Sequence, residues 1–221
     1  MTATAPRTAA AEDEDAVVAL WDEAFGEPGM APLWRLDPVH RSWTLVAEDG
    51  DGITGALYLV DQRRRTATGR VARVLGVANV AVAQRARGRG IARELMDDAV
   101  AFGRRAGYDW ALLFTGTPGV YAGSGFLPFR QHRRVEGVVA DADAAGPLGV
   151  QRTPIASADL SWLAAAYDTA CADRPLTAVR DDLGWRRAAG WYAGATVYTH
   201  RAGYAVARPE SAEVLEAAGH P

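Results

Sequence analysis

Residues 80–92 read VAVAQRARGRGIA, and this stretch limits the fold and the chemistry of the chain more than any other. A short apolar run leads into a turn rich in arginine and glycine, and the turn opens onto a segment whose apolar residues recur at the spacing of one helix face: Ile91, Leu95, Ala99, Phe102 and Ala106. The first turn of a helix carries free N–H groups and a partial positive charge, and glycines let an anion approach the backbone. The pattern therefore predicts a strand, a phosphate-binding loop and a helix.

Two other glycine-rich phosphate loops fit this stretch poorly. A Walker-type loop needs a lysine after its last glycine, whereas all 24 basic residues of this chain are arginine. A dinucleotide fingerprint needs the pattern G-x-G-x-x-G, and here Gly88 and Gly90 are followed by Arg93 at the position of the third glycine. A different phosphate-bearing ligand is therefore expected.

Residues 87–92 resemble the acetyl-coenzyme A loop of the GNAT superfamily of N-acetyltransferases, whose pattern is Q/R-x-x-G-x-G/A, and residues 85–90 fit it two positions earlier. In this superfamily the loop is followed by a helix, a strand and a short helix that carries a Tyr before a Gly-Phe pair. Here residues 110–114 read WALLF, an apolar run suited to a buried strand, and residues 121–126 read YAGSGF. The resemblance covers residues 76–129, in family order and at family spacing.

The resemblance implies an α/β fold of the GNAT type, with a mixed central sheet flanked by helices. It implies acetyl-CoA as co-substrate. No metal is expected, because the histidines and the single cysteine lack the spacing of a metal site. The pantetheine arm would pair with the backbone of Val80, Ala81 and Val82, where one N–H would polarise the acetyl carbonyl as an oxyanion hole does. A bulge in this strand is expected at Gly76 or Asn79. The pyrophosphate would lie on the turn, whose residues are Arg85, Arg87, Gly88, Arg89, Gly90, Ile91 and Ala92.

The resemblance also implies a role for Tyr121, which matches the family position whose phenol protonates the leaving thiolate. The alternative is a half-buried aromatic that anchors a short helix. Family members commonly use Glu or Asp on or near the central strand as the general base, but residues 74–84 contain no carboxylate and no histidine. Glu48 and Asp49, at the end of the preceding strand, are candidates for the base or are solvated turn residues. No base is predicted.

The composition predicts a cytoplasmic protein. The chain has 221 residues, a net charge of −3 and a pI of about 5.8, so neither nucleic acid nor an anionic membrane is expected as a partner. A lone cysteine, Cys171, excludes internal disulfides and fits a core position, and the four histidines lack the i, i+4 spacing of a metal site. Residues 1–15 lack the apolar core of a secretory signal, and the charge-free residues 110–129 contain glycines and prolines, which favour strand and turn over a membrane span.

Turn and linker signals divide the chain into a catalytic domain at residues 12–140, a linker at 141–154 that is rich in Ala, Gly, Pro and Asp, and a smaller region at 155–221. For the first domain the patterns predict a helix ended by Gly26, a hairpin around residues 49–52, and strands at 43–48, 53–60 and 73–82. For the last region they predict helices along 160–171 and 185–192, then strands at 195–200 and 203–207.

This last region resembles the first half of another GNAT unit. Residues 173–176, read with Arg180 and Trp185, resemble the second domain of the Eis-like subgroup, which carries two acetyltransferase-type domains in tandem. The chain departs from that subgroup because it ends at Pro221, without a second phosphate loop and without the subgroup's further carboxy-terminal domain. The role of the subgroup's terminal carboxylate is therefore not carried over.

The activity that the resemblance implies is transfer of an acetyl group from acetyl-CoA to a primary amine of a small molecule or of a protein. The alternative is a GNAT-fold module that binds acetyl-CoA without catalysis, as a sensor or an assembly part; the intact Tyr121 argues against it and the missing base argues for it. A nucleic-acid-binding role for the arginine run at 63–65 conflicts with the acidic balance. A strand edge without a visible partner in residues 152–221 makes a homodimer one further expectation.

Overall fold

The computed structural model describes residues 5–26, 30–129, 149–201, 203–211 and 213–219. The chain divides into two compact units, one up to Pro128 and one from Phe129 onward, with residues 67–69 counted with the second. Each unit has its own cluster of buried apolar side chains. Within the described ranges, no helix has both the length and the apolar character needed to cross a membrane.

The first unit is an α/β domain, which confirms the predicted fold class. Its strands pair in chain order, antiparallel except for the last, parallel pair: β1 (Arg7–Thr8), β2 (Thr44–Asp49), β3 (Gly52–Arg65), β4 (Val71–Val82) and β5 (Trp110–Leu112). Its helices are α1 (Glu14–Phe25), α2 (Met30–Arg35) and α3 (Ile91–Arg105). Helices α1 and α3 both pack on β3 and β4, so the central hairpin carries the core.

The helix boundaries follow local signals. Helix α1 ends where predicted, because Gly26 adopts φ +69° and its N–H donates to the carbonyl of Asp22 at 2.9 Å. Helix α3 buries one face, formed by Ile91, Leu95, Met96, Ala99 and Gly103. The predicted amphipathic pattern after the glycine turn is thereby confirmed over its first two and a half turns.

The central hairpin is longer than the sequence indicated. Strand β3 continues beyond the predicted 53–60, and pairs such as Arg63 with Arg73 and Arg65 with Val71 extend it to the turn. The arginine run at 63–65 therefore lies within a strand. Backbone pairing with β4 continues through this polar end, where no apolar alternation in the sequence indicates a strand.

The second unit contains a four-stranded antiparallel sheet, which confirms a smaller, partial GNAT-like region. The strands of this sheet are β6 (Gln151–Pro154), β8 (Thr196–His200), β9 (Gly203–Arg208) and β10 (Glu213–Gly219), in the order β10-β9-β8-β6. The unit also contains the two-residue strand β7 (Ala178–Val179), which is not part of this sheet. Its helices are α4 (Leu160–Cys171) and α5 (Asp182–Trp191), close to the predicted spans. Cys171 is buried in its core, as predicted.

The sequence patterns did not predict two strands of this sheet, β6 and β10. Strand β6 occupies the last four residues of the predicted linker. Residues 141–148 of that linker and residues 130–140 of the predicted first domain lie outside the described residues. Strand β10 reads EVLEAAG, a composition that favours helix, and its pairing with β9 overrides that propensity. The domain boundaries stay a prediction.

A partly buried ion pair links β10 to the helical side of the second unit. The Arg180 guanidinium donates to both carboxylate oxygens of Glu216, and these oxygens also accept hydrogen bonds from Tyr192 and Tyr204. The guanidinium carbon lies 4.5 Å from the ring centre of Tyr167 and 4.7 Å from that of Trp185. Desolvation and the Glu216 charge raise the pKa of Tyr192 to about 12, so the tyrosine stays a neutral donor.

The approach of α3 to the sheet depends on Gly55 of β3. A Cβ atom there would lie 2.7 Å from Cγ2 of Ile91 and 3.0 Å from Cδ1 of Leu95. Both distances are shorter than van der Waals contact, so a larger side chain would push the start of α3 away from β3.

We therefore expect Gly55→Ala to lower the free energy of unfolding by about 1–3 kcal/mol through overpacking. Gly116→Ala is the matched control, because its Cβ would meet no atom within 4 Å and we expect a change within about 0.5 kcal/mol. Urea denaturation measures both. Equal stability of the two variants would contradict this account of the packing.

Candidate active site at the free edge of strand β4

Strand β4 carries a bulge at Asn79. Ala78 pairs with Tyr58 of β3 and Ala81 pairs with Ala56, so two residues of β4 stand opposite one residue of β3. Asn79 adopts φ +54°, a left-handed conformation that asparagine tolerates better than most residues. Of the two expected positions the structure thus selects Asn79, while Gly76 stays in register. The extra residue turns the strand at the point where pairing with β5 has ended.

The edge of β4 that faces β5 is open after Gly76. The parallel pairing covers Val74 to Gly76 on β4 and Trp110 to Leu112 on β5. Beyond that point, no strand in the described part of the chain pairs with this edge. Val80, Ala81 and Val82 lie on this open stretch, so their backbone can add an extended ligand as if it were another strand.

The glycine turn leads from β4 into α3 through two left-handed residues. Gly88 has φ +79° and Gly90 has φ +85°, and Gly90 is the N-cap of α3 without a side-chain cap. A Cβ atom at either glycine would meet nothing within 4 Å, so the turn borders open space. Arg87 to Gly90 are exposed, Ile91 is buried, and Ala92 is half-buried. The exposed N-terminus of a 15-residue helix, preceded by these glycines, suits an anion.

The arginines of the turn have different surroundings. Arg85 donates to both carboxylate oxygens of Asp49, at 3.0 and 2.9 Å, and Arg89 lies 3.7 Å from the same carboxylate. Arg87 donates to the carbonyl of Val82 at 3.3 Å. Asp49, whose side chain is 5% exposed, thus fixes the turn to the β2–β3 hairpin. Sequence reasoning missed this anchor, because the two partners are 36 residues apart.

The two carboxylates that were candidates for the base are both engaged in ion pairs. Arg7 donates to Glu48 at 3.1 and 2.7 Å, and this contact lowers the pKa of Glu48. The backbone N–H of Asp51 and then the Arg85 guanidinium lower the pKa of Asp49. A carboxylate whose ionised form is stabilised in this way is a weak base.

Another carboxylate near the bulge was not anticipated. Tyr58, opposite Ala78, donates its hydroxyl to Asp37 at 2.7 Å, and both side chains are buried. Asp37 also accepts from the backbone N–H of Val39. Nothing local in the sequence marked this pair, since Asp37 lies in a turn before β2.

Tyr121 lies on a 3₁₀ turn over Pro118–Ser124. The N–H of Phe126 donates to the Tyr121 carbonyl at 3.3 Å, and Gly125, with φ +84°, lets the chain reverse there. The half-buried Tyr121 ring packs edge-to-face on Phe126 and against the same core cluster as Val80 and Val82. Its hydroxyl makes no hydrogen bond within the described ranges. The motif YAGSGF therefore presents a phenol whose donor is available.

A family model described as the acetyltransferase (GNAT) domain matches residues 5–129. No curated protein matches the chain significantly.

Solved structures similar to the full chain include three proteins. A GCN5-related N-acetyltransferase from Kribbella flavida matches with a TM-score of 0.73 and 21% identity, over 100% of this chain and 58% of that one. Eis1 from Mycobacterium abscessus matches with a TM-score of 0.71 and 18% identity, over 99% of this chain and 60% of that one. A probable N-acyltransferase from Enterococcus faecalis V583 matches with a TM-score of 0.74 and 14% identity, over 99% of this chain and 59% of that one. At these identities the likeness concerns the fold, and the chain spans about three fifths of the length of these structures.

The anchoring role of Asp49 is testable by pH. Asp49→Asn keeps the size of the side chain and removes its charge, so we expect a lower melting temperature than wild type at pH 7. Because the folded pKa of Asp49 lies below its ordinary value of 3.8, the ion pair stabilises the fold above that pH and is lost as the pH falls through the lower, folded value. The difference between the proteins should therefore close in acid. Asp51→Asn, in the same turn, is the control; equal melting temperatures of Asp49→Asn and wild type at pH 7 would refute the anchor.

Proposed function

Because the chain belongs to the GNAT family of acetyltransferases, we propose that it transfers an acetyl group from acetyl-CoA to a primary amine of a small molecule or of a protein. The observation that carries the proposal is the continuity of two features: the open edge of β4 after the Asn79 bulge and the glycine turn that follows it into α3. The open edge of β4 suits an extended amide-bearing arm, and the glycine turn suits a pyrophosphate. The two features follow each other directly at one end of β4.

The glycine turn would hold the phosphates. The N–H groups from Gly88 to Ala92 are the donors at the start of α3, and the helix dipole adds to their field. The exposed Arg87 and Arg89 supply charge beside them. Arg85 would contribute its charge while Asp49 holds its guanidinium, so its main effect is to fix the turn.

The open edge of β4 would hold the pantetheine arm. Backbone groups of Val80, Ala81 and Val82 would pair with its amides, and an N–H of this stretch would polarise the acyl carbonyl. Acetyl-CoA supplies the activated thioester; the chain supplies orientation, since a fixed thioester and a nearby amine react without the entropy loss of a free encounter.

Tyr121 would donate a proton to the departing thiolate. Its ring is held by Phe126 and the first core cluster, while its hydroxyl makes no hydrogen bond to the described residues. Neither Glu48 nor Asp49 is assigned as the base, because their ion pairs with Arg7 and Arg85 favour the weakly basic ionised form. In this proposal the amine loses its proton to solvent.

The engaged carboxylates favour a second candidate, a GNAT-fold module that binds acetyl-CoA without turnover. A thiol-release assay with acetyl-CoA and a panel of primary amines, both small amines and lysine peptides, separates the two. Amine-dependent thiol release supports the transferase, and its absence in a protein that binds acetyl-CoA supports the module. A cytoplasmic location and a homodimer stay predictions.

Coenzyme binding through the glycine turn predicts the effect of Gly90→Glu. The new carboxylate would stand at the N-terminus of α3, where it excludes a phosphate by bulk and by like charge. Acetyl-CoA at 100 times its Kd should stabilise the wild type by about 2.7 kcal/mol, and this gain should vanish in the variant.

Thermal shift measures that gain. Gly69→Glu is the matched control, because Gly69 also has a positive φ, +76°, and open space around it, so the backbone strain is comparable. We expect it to keep the full ligand-induced shift. An undiminished shift in folded Gly90→Glu would mean that the coenzyme binds elsewhere.

The role of Tyr121 predicts a separation of turnover from binding. Tyr121→Phe keeps the ring that packs on Phe126 and removes the hydroxyl, so kcat should fall by roughly 10²–10⁴-fold while the Kd of acetyl-CoA stays nearly constant. Thiol release and calorimetric titration measure the two quantities. Tyr198→Phe, at another half-buried tyrosine, should leave both unchanged. Unchanged turnover in Tyr121→Phe would assign the residue to packing.

A further inference from the structure

Both units contain the same arrangement of backbone. In each, a short strand leads into a 3₁₀ turn and then a 12-residue helix, α1 or α4. The N–H of Ala9 donates to the carbonyl of Thr44 at 2.8 Å, and the N–H of Ile155 donates to that of Ala195 at 3.0 Å. These hydrogen bonds give the two units a common reference point.

Counting from that reference assigns equivalent residues. Asp13 and Asp159 each stand four positions after the donor and are each the N-cap of the following helix. Two positions before the donor the first unit has Arg7 and the second has Thr153. We call this group of equivalent positions the corner of each unit. At its corner the second unit has the carboxylate of the first but has a threonine in place of the arginine. Counting from the acceptors Thr44 and Ala195 in the same way, Glu48 of β2 and Thr199 of β8 each stand four positions later and are equivalent.

In the first unit this corner is filled by an ion triad. Arg7 donates to both oxygens of Asp13, at 2.6 and 3.0 Å, and to both oxygens of Glu48. Asp13 is only 6% exposed, because the guanidinium covers it. A planar guanidinium between two carboxylates is a strong, bidentate form of charge pairing.

In the second unit the same corner is a cavity of about 440 Å³. The three equivalent residues, Thr153, Asp159 and Thr199, all line it, since two short side chains stand where the first unit has Arg and Glu. Asp159 is exposed, and both of its helix-capping hydrogen bonds use Oδ1. No ion pair of Asp159 is found within the described ranges.

Two other side chains of the cavity define what it can take. The Trp162 ring is 40% exposed, and an aromatic face of this kind stacks on guanidinium groups. Arg201 is a second lining residue, and its positive charge favours a ligand that also carries a carboxylate.

We propose that this cavity binds a small amino acid of the arginine type, whose guanidinium takes the position that the Arg7 side chain has in the first unit. Asp159 accepts the guanidinium N–H groups, Trp162 covers the plane of the guanidinium, and the hydroxyls of Thr153 and Thr199 accept the remaining hydrogen bonds. Arg201 pairs with the ligand's carboxylate. All of these residues belong to the second unit, whereas the residues proposed for acetyl transfer belong to the first.

The probe for this site is L-arginine, with L-citrulline as its uncharged isostere, titrated into the full chain without acetyl-CoA and followed by NMR at the Trp162 indole. We expect arginine to bind with a Kd on the order of 1 mM, typical of a small ligand with few contacts. Citrulline should bind at least about tenfold more weakly, because the charge-assisted pair is lost. Equal binding of the two, or no saturable shift with arginine, would overturn the proposal.

Two variants localise the effect. Asp159→Asn keeps an oxygen for capping α4, so the fold is retained, and it should weaken arginine binding by at least about tenfold. Thr153→Arg would place a guanidinium of the protein itself in the position proposed for the ligand's guanidinium. It should therefore abolish arginine binding and raise the melting temperature. Ser161→Ala, at an exposed position beside the cap, should bind arginine as wild type does. An unchanged Kd in Asp159→Asn would place the ligand elsewhere and refute the site.

Discussion

Pairing between β4 and β5 stops at Gly76, while β4 continues for six more residues. An extended strand has unpaired N–H and C=O groups along any free edge, and these groups need partners. The bulge at Asn79 lies beyond the last pair with β5, and it adds a residue on β4 that any strand on this edge would have to match. The candidate site is therefore a consequence of sheet geometry, and the side chains around it are secondary.

The position of α3 follows from the same strand. Residues 83–90 lead from the end of β4 into α3, and Gly55 allows the start of the helix to pack directly on β3. Asp49 fixes the turn through Arg85, and this fixes the N–H groups of the first helical turn. The phosphate site proposed at this turn would be preorganised, because backbone groups that are already fixed lose little entropy on binding.

Features of the first unit that depend on local signals could be predicted from the sequence. Features that depend on contacts between distant residues could not. The turn at 87–92, the face of α3 and the hairpin around Gly52 depend on glycine conformation and apolar spacing, which are visible in a short window. The pair of Arg85 and Asp49, the pair of Tyr58 and Asp37, and strand β10 depend on residues far apart in the chain. Strand β10 even has the composition of a helix, and only its neighbour β9 makes it a strand.

The partly buried ion pair of the second unit constrains the order in which that unit can form. Arg180 precedes α5, while Glu216 lies on β10, the final strand of the sheet. Until β10 joins β9, the guanidinium between Tyr167 and Trp185 has no carboxylate partner, and covering it then is unfavourable. During folding the aromatic pocket would close fully only when β10 is in place. Closure of this pocket therefore depends on one carboxylate, Glu216, that the strand β10 contributes.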